Sequence, residues 1–362
     1  MAIQVERLDG AETKEYEAFI DQHTDATAYH HPAWMRAIEE AYGHRCWLIT
    51  ARNTQGAMIG ALPVCQMRRP VSDALVSLPF CDLGGPLTIA AEPPSPAAEM
   101  LLSGARDLMS RTGIDRLTLR ERAGPLHDSR EPPTTAGSGL SSEAAKVSLL
   151  ARLPESPDLL FQGFPAKLRS QIRKAEKNGL TASVATGPAA LKAFYPVFAA
   201  NMHRLGSPVH GKNWFQALER HYGARLLVGL VRLGHRPVAA GIVLRQGQTA
   251  CIPWASTRVE FNHLAPNMLL YWQLLRYVTE QGCRIFDFGR STPGEGTFRF
   301  KRQWGAQPVP LVWREYCRDG SFTEQQPGAG GPARQWAEAC WQRLPLTLAN
   351  RLGPSLRRHI SL

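Results

Sequence analysis

The sequence predicts an α/β protein of two related domains, each a mixed β-sheet flanked by helices, and three observations predict it. The chain has 362 residues, where a typical domain uses roughly 150. Its hydrophobic content of 44% and charged content of 20% lie near the globular averages of about half and a quarter, so the bulk of the chain has the material for cores. The two halves also carry the same order of signals: hairpin, helix, glycine, strand.

In the first half, Cys46 to Ala51 is an apolar run, Asn53 to Gly56 is turn chemistry, and Met58 to Val64 is a second run, which together predict a β-hairpin. Leu226 to Val231, the turn Gly234 to Pro237, and Val238 to Leu244 repeat it. MLLSGARDLMSRTG then places Leu101, Ala105 and Leu108 at helical spacing with Gly113 as the stop, and the strand-like IDRLTLR follows. The second half answers with NMLLYWQLLRYVTEQG, stopped at Gly282, and CRIFDFG. LPESP at 153–157 reads as the linker, which gives a first domain over 1–155 and a second over 156–322. EPPTTAGSGLSS at 131–142 reads as a flexible excursion within the first domain. Beyond QQPGAGGPA, residues 323–362 form a linker and a C-terminal segment in which tryptophans and leucines alternate with arginines. That segment is expected to dock on the core, Pro345 and Pro354 interrupting any long helix; a basic amphipathic element on a membrane surface is the alternative.

Several classes are excluded. The most apolar stretch, Leu226 to Leu244, is broken by Arg232, His235 and Arg236, far short of the roughly 18 uninterrupted apolar residues of a membrane span. The N-terminus MAIQVERLDGAETKEYEAF is acidic where a secretory leader is apolar, so a cytoplasmic location is expected, with a peripheral place on the inner membrane face as the variant. Seven cysteines include no C-x-x-C and no close pair, and the histidines form no H-x-x-x-H. Reduced, mostly buried thiols and no metal are expected.

The formal net charge is +11, which favours polyanionic partners. Only eight basic residues are lysines, yet three of them fall between Lys167 and Lys177. In AKLRSQIRKAEKNGL, Leu168, Ile172 and Ala175 form an apolar helix face. Arg169, Arg173 and Lys177 form a ridge opposite, flanked by Lys167 and Lys174. A solvated charged face is one reading; an anion site for phosphate or nucleic-acid backbone is the other, and the excess of one sign favours it.

A second candidate is FDFGRSTPGEGTFRFKRQWG, Phe286 to Gly305, where glycines permit close approach to a ligand. Arg299, Lys301 and Arg302 alternate there with Phe298, Phe300 and Trp304, which suits a phosphorylated or nucleic-acid substrate and equally an ordinary half-buried strand. That loop matches neither a P-loop nor the dinucleotide fingerprint, there is no G-x-S-x-G elbow, and neither hairpin-to-helix connection, Cys65 to Glu99 or Arg245 to Pro266, contains the Q-x-x-G-x-[GA] turn that cradles the pyrophosphate of acetyl-CoA.

The runs KLRSQIRKAEKNGL, NMHRLGSPVH, PNMLLYWQLLRYVTEQGCRIFDFGRSTPGEGTFRFKRQWGA and HHPAWMRAIEEAYGH resemble the FemAB-related proteins associated with exosortase/PEP-CTERM systems. More distantly they resemble the Fem peptidyltransferases, which carry two GNAT-like domains. The resemblance implies two tandem GNAT-like domains and an acyl or aminoacyl transferase that forms an amide on an amine of a cell-envelope or exopolysaccharide precursor. It matches Phe300 and Lys301 to a Phe-Lys pair beside the reacting ester, where the lysine stabilises negative charge; a preorganised cation there is worth several kcal/mol. On this reading Phe300 and Trp304 wall the acyl channel. Arg290, Arg299, Lys167, Arg169, Arg173 and Lys174 hold phosphates, and Asp287 or Glu295 accepts the amine proton, unless Asp287 only caps the loop. No tightly bound cofactor is expected. The expected donor is aminoacyl-tRNA or acyl-CoA, the runner-up enzyme being an acyl-CoA- or acyl-carrier-dependent N-acyltransferase, and the acceptor is a phosphorylated, nucleotide-linked or lipid-linked small molecule, with no DNA partner. The rival from another class is a catalytically silent adaptor or nucleic-acid-binding protein that keeps the basic surface.

Overall fold

The computed structural model describes residues 1–7, 10–89, 95–123, 146–325 and 332–361. In chain order it runs β1 (Ala2–Glu6), α1 (Gly10–Gln22), α2 (Pro32–Tyr42), β2 (Arg45–Arg52), β3 (Met58–Met67), β4 (Ala74–Val76), β5 (Leu87–Thr88), α3 (Pro96–Thr112) and β6 (Arg116–Arg122). There follow β7 (Val147–Arg152), α4 (Pro157–Gly163), α5 (Ala166–Lys177), β8 (Leu180–Ala185), α6 (Pro188–Arg204), α7 (Lys212–Tyr222), β9 (Leu226–Leu233), β10 (Arg236–Gln246), β11 (Thr249–Thr257), α8 (Pro266–Glu280) and β12 (Ile285–Ser291). The last elements are α9 (Gly296–Arg302), β13 (Gln307–Cys317), β14 (Phe322–Gln325), α10 (Pro332–Arg343) and α11 (Leu346–Arg357). The excursion expected at 131–142 lies outside the described residues.

Two compact units emerge, and neither coincides with a continuous half of the chain. Unit 1 comprises Met1–Lys146, Val309–Gly328 and His359–Leu362; unit 2 comprises Val147–Pro308 and Ala329–Arg358. In unit 1, β1, β2, β3 and β4 pair antiparallel in that order, β4 pairs β6 in parallel, and β6 pairs β13 antiparallel. In unit 2, β8, β9, β10 and β11 pair antiparallel, β11 pairs β12 in parallel, and β12 pairs β7 antiparallel. The order and directions are the same, so the repeated signals mark a repeated topology. The boundaries expected at 155 and 322 shift because each sheet takes its closing strand from elsewhere in the chain: β7 precedes the rest of unit 2, and β13 follows it. The C-terminal segment is likewise shared, with α10 and α11 in unit 2 and the last residues in unit 1. Pro345 separates those two helices, whereas Pro354 is tolerated inside α11.

The predicted helix faces are the buried ones. Leu101, Ala105 and Leu108 of α3 pack with Ile49, Leu62, Leu117 and Leu119 in the unit 1 core. Leu168, Ile172 and Ala175 of α5 join Leu270, Leu274 and Val278 of α8 in unit 2. Each buried leucine is worth about 1.5–3 kcal/mol. The stop glycines act as expected: Gly113 and Gly282 have φ of +70° and +81°, a left-handed backbone that side chains disfavour.

Cys46 and Cys65 correct the expectation that no cysteine has a close neighbour, because the hairpin register sets them directly opposite each other on β2 and β3. Burial and the adjoining thiol push the Cys46 thiol up, away from reactivity.

His30 carries a pH prediction. It is buried in unit 1, its Nδ1 accepts the Thr27 N–H at 3.1 Å, and its Nε2 faces the Gly85 carbonyl at 3.1 Å. Burial pushes its pKa down to about 4, so between the ordinary value near 6.5 and about 4 the unfolded chain binds the extra proton. Stability is therefore complete above pH 6.5 and falls as pH drops through this window, by on the order of 3 kcal/mol at the bottom. Thermal melts at pH 7 and pH 4.5 are expected to differ less for His30→Gln, whose amide can reproduce one donor and one acceptor without titrating.

Candidate active site

The site in unit 2 begins with two strands that stop pairing. The parallel ladder between β11 and β12 runs through Thr249↔Ile285, Ala250↔Phe286 and Cys251↔Asp287 and no further. Beside Cys251, the β10 and β11 pairing shifts register between Ile242 and Leu244, and Pro253 on β11 has no N–H to give a ladder. The second halves of β11 and β12 thus pair with β10 and β7 but not with each other, which leaves an opening in the ladder at the carboxyl ends of both strands.

On the β12 side the backbone turns. The register with β7 shifts between Asp287 and Arg290, and Gly289 takes φ +72°. Asp287, nearly buried, holds this bulge: its Oδ1 accepts the Gly289 N–H at 2.7 Å and the Ser148 hydroxyl at 2.6 Å. The turned carbonyls of Gly289 and Arg290 in turn receive the Lys301 ammonium, at 3.1 and 2.8 Å. A carboxylate thus shapes a bulge whose carbonyls fix a cation at the strand end.

Lys301 reaches this point from α9, and here the structure departs from the alternating-strand alternative. FRFKR is helical, with Glu295 at its N-cap. The i, i+4 pair Phe300 and Trp304 then shares one face: Phe300 packs edge-on against Tyr271 at 5.0 Å, and Trp304 contacts Phe164 at 5.3 Å and Tyr271 at 5.9 Å. Tyr271 stacks on Phe288 at 5.6 Å, and burial pushes its hydroxyl pKa up. Trp304 Nε1 and Ser291 Oγ are buried with no hydrogen-bond partner among the described residues, each at a cost of about 1–3 kcal/mol. Sequence reasoning missed Ser148, Tyr271, Ser291 and Pro253. Of these only Pro253, a proline inside an apolar run, left a readable signal.

The structure sorts the remaining candidates. Arg290 lies on β12, half-buried. Arg299 is exposed and donates to the Gly294 carbonyl at 2.8 Å, bracing the loop. Glu295 is exposed. Asp287 thus accepts two hydrogen bonds within the bulge, whereas the Glu295 carboxylate is open to solvent. Lys167 and Lys174 are exposed on α5, Arg169 donates to the Gln162 carbonyl at 3.1 Å, and Arg173 lies 5.4 Å over the Phe161 ring. Arg173 edges a groove of about 220 Å³ with Asp158, Phe161, Gln162, Ile172, Glu176 and Trp272, which does not include Lys301. Rings bridge the two places: Phe161 to Trp272 at 4.9 Å, Trp272 to Phe164 at 5.9 Å, Phe164 to Trp304 at 5.3 Å.

The start of α8, beside the opening, makes a thin anion cradle. Ala265 enters it at φ +60°, Pro266 has no N–H, and the Met268 N–H returns to the Ala265 carbonyl at 3.1 Å. Asn267, whose Oδ1 accepts the Thr257 hydroxyl, offers the remaining early amide. These residues leave few backbone N–H groups for a pyrophosphate, which a helix N-terminus grips through several.

Unit 1 closes the equivalent opening with its own chain. Past Val76↔Thr118, Ser77 donates to the Thr118 carbonyl, Gly84 donates to the Arg120 carbonyl, and the Arg120 guanidinium donates to the Leu78 and Cys81 carbonyls. A small cleft of about 120 Å³ beside it is lined by Asp25, His30 and Arg122 among others, with Asp25 and Arg122 paired at 2.9 Å.

This is a GNAT-like α/β fold: residues 163–302 match the acetyltransferase (GNAT) domain family, a span that lies within unit 2 and includes Lys301. Among solved structures, FemX is similar at 13% identity with a TM-score of 0.65, over 85% of this chain and 95% of that one. A tandem GNAT protein from the clavulanic acid biosynthesis pathway is similar at 13% identity and TM-score 0.54, over 88% and 100% of the two chains. The C-terminal domain of a putative lysylphosphatidylglycerol synthetase from Agrobacterium fabrum matches at 13% identity and TM-score 0.51, over 83% and 91%. A comparison with curated proteins finds no match. Among the described residues, no helix is long and apolar enough to cross a membrane.

Proposed function

We propose that this protein is an N-acyltransferase of the Fem-like kind, transferring an aminoacyl or acyl group from an activated ester to an amine. The observation that carries the reading is the Lys301 ammonium, held on the turned carbonyls of Gly289 and Arg290 where β12 parts from β11. When a neutral amine attacks the ester carbonyl, the C–N bond forms and the carbonyl oxygen takes up negative charge. A cation already fixed in place stabilises that charge without reorganising. Collapse of the intermediate breaks the C–O bond, the departing oxygen takes a proton, and the amine nitrogen loses one, with Glu295 as the candidate acceptor. Half-buried Phe300, backed by the buried rings of Tyr271 and Trp304, supplies the apolar wall for the acyl group.

Between the two donors, the poor cradle at α8 favours aminoacyl-tRNA over acyl-CoA, and the basic α5 ridge suits a nucleic-acid backbone. The acceptor is read as an amine on a phosphorylated, nucleotide-linked or lipid-linked envelope or exopolysaccharide precursor, in keeping with the exosortase-associated resemblance. The name of the lysylphosphatidylglycerol synthetase domain is compatible with aminoacyl transfer on this fold.

The test is to incubate the protein separately with charged tRNA and with acyl-CoA, an amine acceptor present, and to follow loss of ester or thioester. Loss with charged tRNA alone is expected. Loss with acyl-CoA alone would transfer the reading to the coenzyme donor, and loss with neither would favour the silent adaptor. Reversing Arg169 and Arg173 to Glu is expected to weaken tRNA binding and flatten its salt dependence, by roughly one unit of log–log slope per phosphate contact removed. Filter binding across a salt series reads this, and an unchanged slope in a folded variant would return the ridge to solvated surface.

A further inference from the structure

The C-terminal helices dock on unit 2 by one side only. Ala349 and Gly353 of α11 are buried, and Gly353 lies so close to Val209 that a Cβ there would stand 2.8 Å from its Cγ1. The His203 imidazole bonds to the Leu344 carbonyl at 2.8 Å, and Arg357 Nε donates to His210 Nε2 at 3.0 Å. Burial and the adjoining guanidinium hold His210 well below its usual pKa, which keeps it a neutral acceptor. The helix pair is thus fixed against its own domain, and its outer side is a surface of the fold.

That outer side is apolar. Leu348, Leu352 and Leu356 follow one another at intervals of four, forming a single stripe along α11, and they are 40%, 43% and 47% exposed. Leu346 is also exposed, and Trp336 on α10 is 72% exposed. A soluble face of this helix would carry polar residues at these positions. Its fully exposed charges are basic: Arg343 and Arg351 are exposed, whereas Glu338 is half-buried and Arg357 is turned to His210, and Arg351, three residues after Leu348, lies along the margin of the stripe.

We propose that the outward face of α10 and α11 is a docking surface for an anionic phospholipid bilayer. An apolar stripe edged by arginines, with a tryptophan nearby, is the pattern that seats in the boundary between headgroups and acyl chains. A second copy of this chain fits less well: it would bring arginines against arginines, and one leucine stripe is small beside the roughly 1,200 Å² of a stable interface. The inference stands apart from the transferase reading, because none of these residues contributes to the Lys301 site.

The experiment is flotation of the full-length protein with vesicles of phosphatidylcholine alone and of phosphatidylcholine with 30% phosphatidylglycerol. Binding to the anionic vesicles, at least tenfold weaker to the neutral ones and weakened by salt, is expected. The triple variant Leu348→Gln, Leu352→Gln, Leu356→Gln should lose at least tenfold in partitioning with its melting temperature retained. Should that variant not fold, Trp336→Ala and Arg351→Gln, both at exposed positions, should together lower binding severalfold. Absence of wild-type flotation, or full binding by the folded variants, overturns the proposal. So does a wild-type dimer in solution that the leucine variant converts to monomer, since the stripe would then be a self-association face.

Discussion

Lys301→Ala is expected to lower kcat by about a hundredfold or more, the scale of losing one oxyanion donor, with KM little changed because the contact matures in the transition state. The geometry sharpens this expectation. The ammonium is anchored by two carbonyls, Gly289 and Arg290, so its charge is placed before substrate arrives. Lys301→Arg should restore only part of the rate, since a planar guanidinium cannot match both carbonyls and put its charge at the same point. Steady-state kinetics on the donor identified by ester loss reads both variants. Raised KM with intact kcat would instead make Lys301 a phosphate ligand, and normal turnover for both variants would make it a structural brace of the bulge. Melting curves separate these from unfolding, because two hydrogen bonds to a charged group are worth about 1.5–3 kcal/mol each.

Asp287→Ala is expected to cost both stability and rate. Its carboxylate takes the Gly289 N–H and the Ser148 hydroxyl in a buried position, and its loss strands two donors, at about 1–3 kcal/mol each. The bulge then loses its brace, and Lys301 its fixed acceptors. The rate effect should be strongly non-additive with Lys301→Ala: the double variant should be little slower than the single lysine variant, because Asp287 acts through Lys301. Additive losses would mean that Asp287 touches the reaction independently, as a proton acceptor. Asp287→Asn, which keeps an oxygen for the Gly289 N–H, should retain more stability than Asp287→Ala.

Much of the fold was readable because the signals were local. The two hairpins, the helices stopped by Gly113 and Gly282, and the strands after them are written in periodicity and turn chemistry, and α5 buries the three residues its spacing chose. The fourth strands were harder: β4 is only three residues long, and β11 contains the proline Pro253 beside the point where its pairing with β12 ends. FRFKRQW was ambiguous in principle, since Phe298 and Phe300 fit a strand while Phe300 and Trp304 fit a helix; packing against Tyr271 and Phe164 decides it. The alternation with Phe298, Phe300 and Trp304 marked Lys301 only as a basic residue among aromatics, its charge-stabilising role entered through the family resemblance, and the bonds of Asp287 at the bulge needed the register shift with β7, which no local pattern announces. Nor does any local pattern tell β7 and β13 which sheet they will complete.

That exchange of closing strands imposes a schedule on synthesis. A growing chain presents β6 early, but β6 gains its antiparallel neighbour only when residues Leu311–Cys317 have been made. At about 5–20 residues per second, that wait is on the order of tens of seconds. Throughout it, the first sheet has an open edge able to pair with the wrong strand. Meanwhile β7 has already been made and waits for β12. Neither unit is therefore a module that can be excised by a single cut, and a chain released before β13 is made leaves both the first sheet unfinished and its edge exposed.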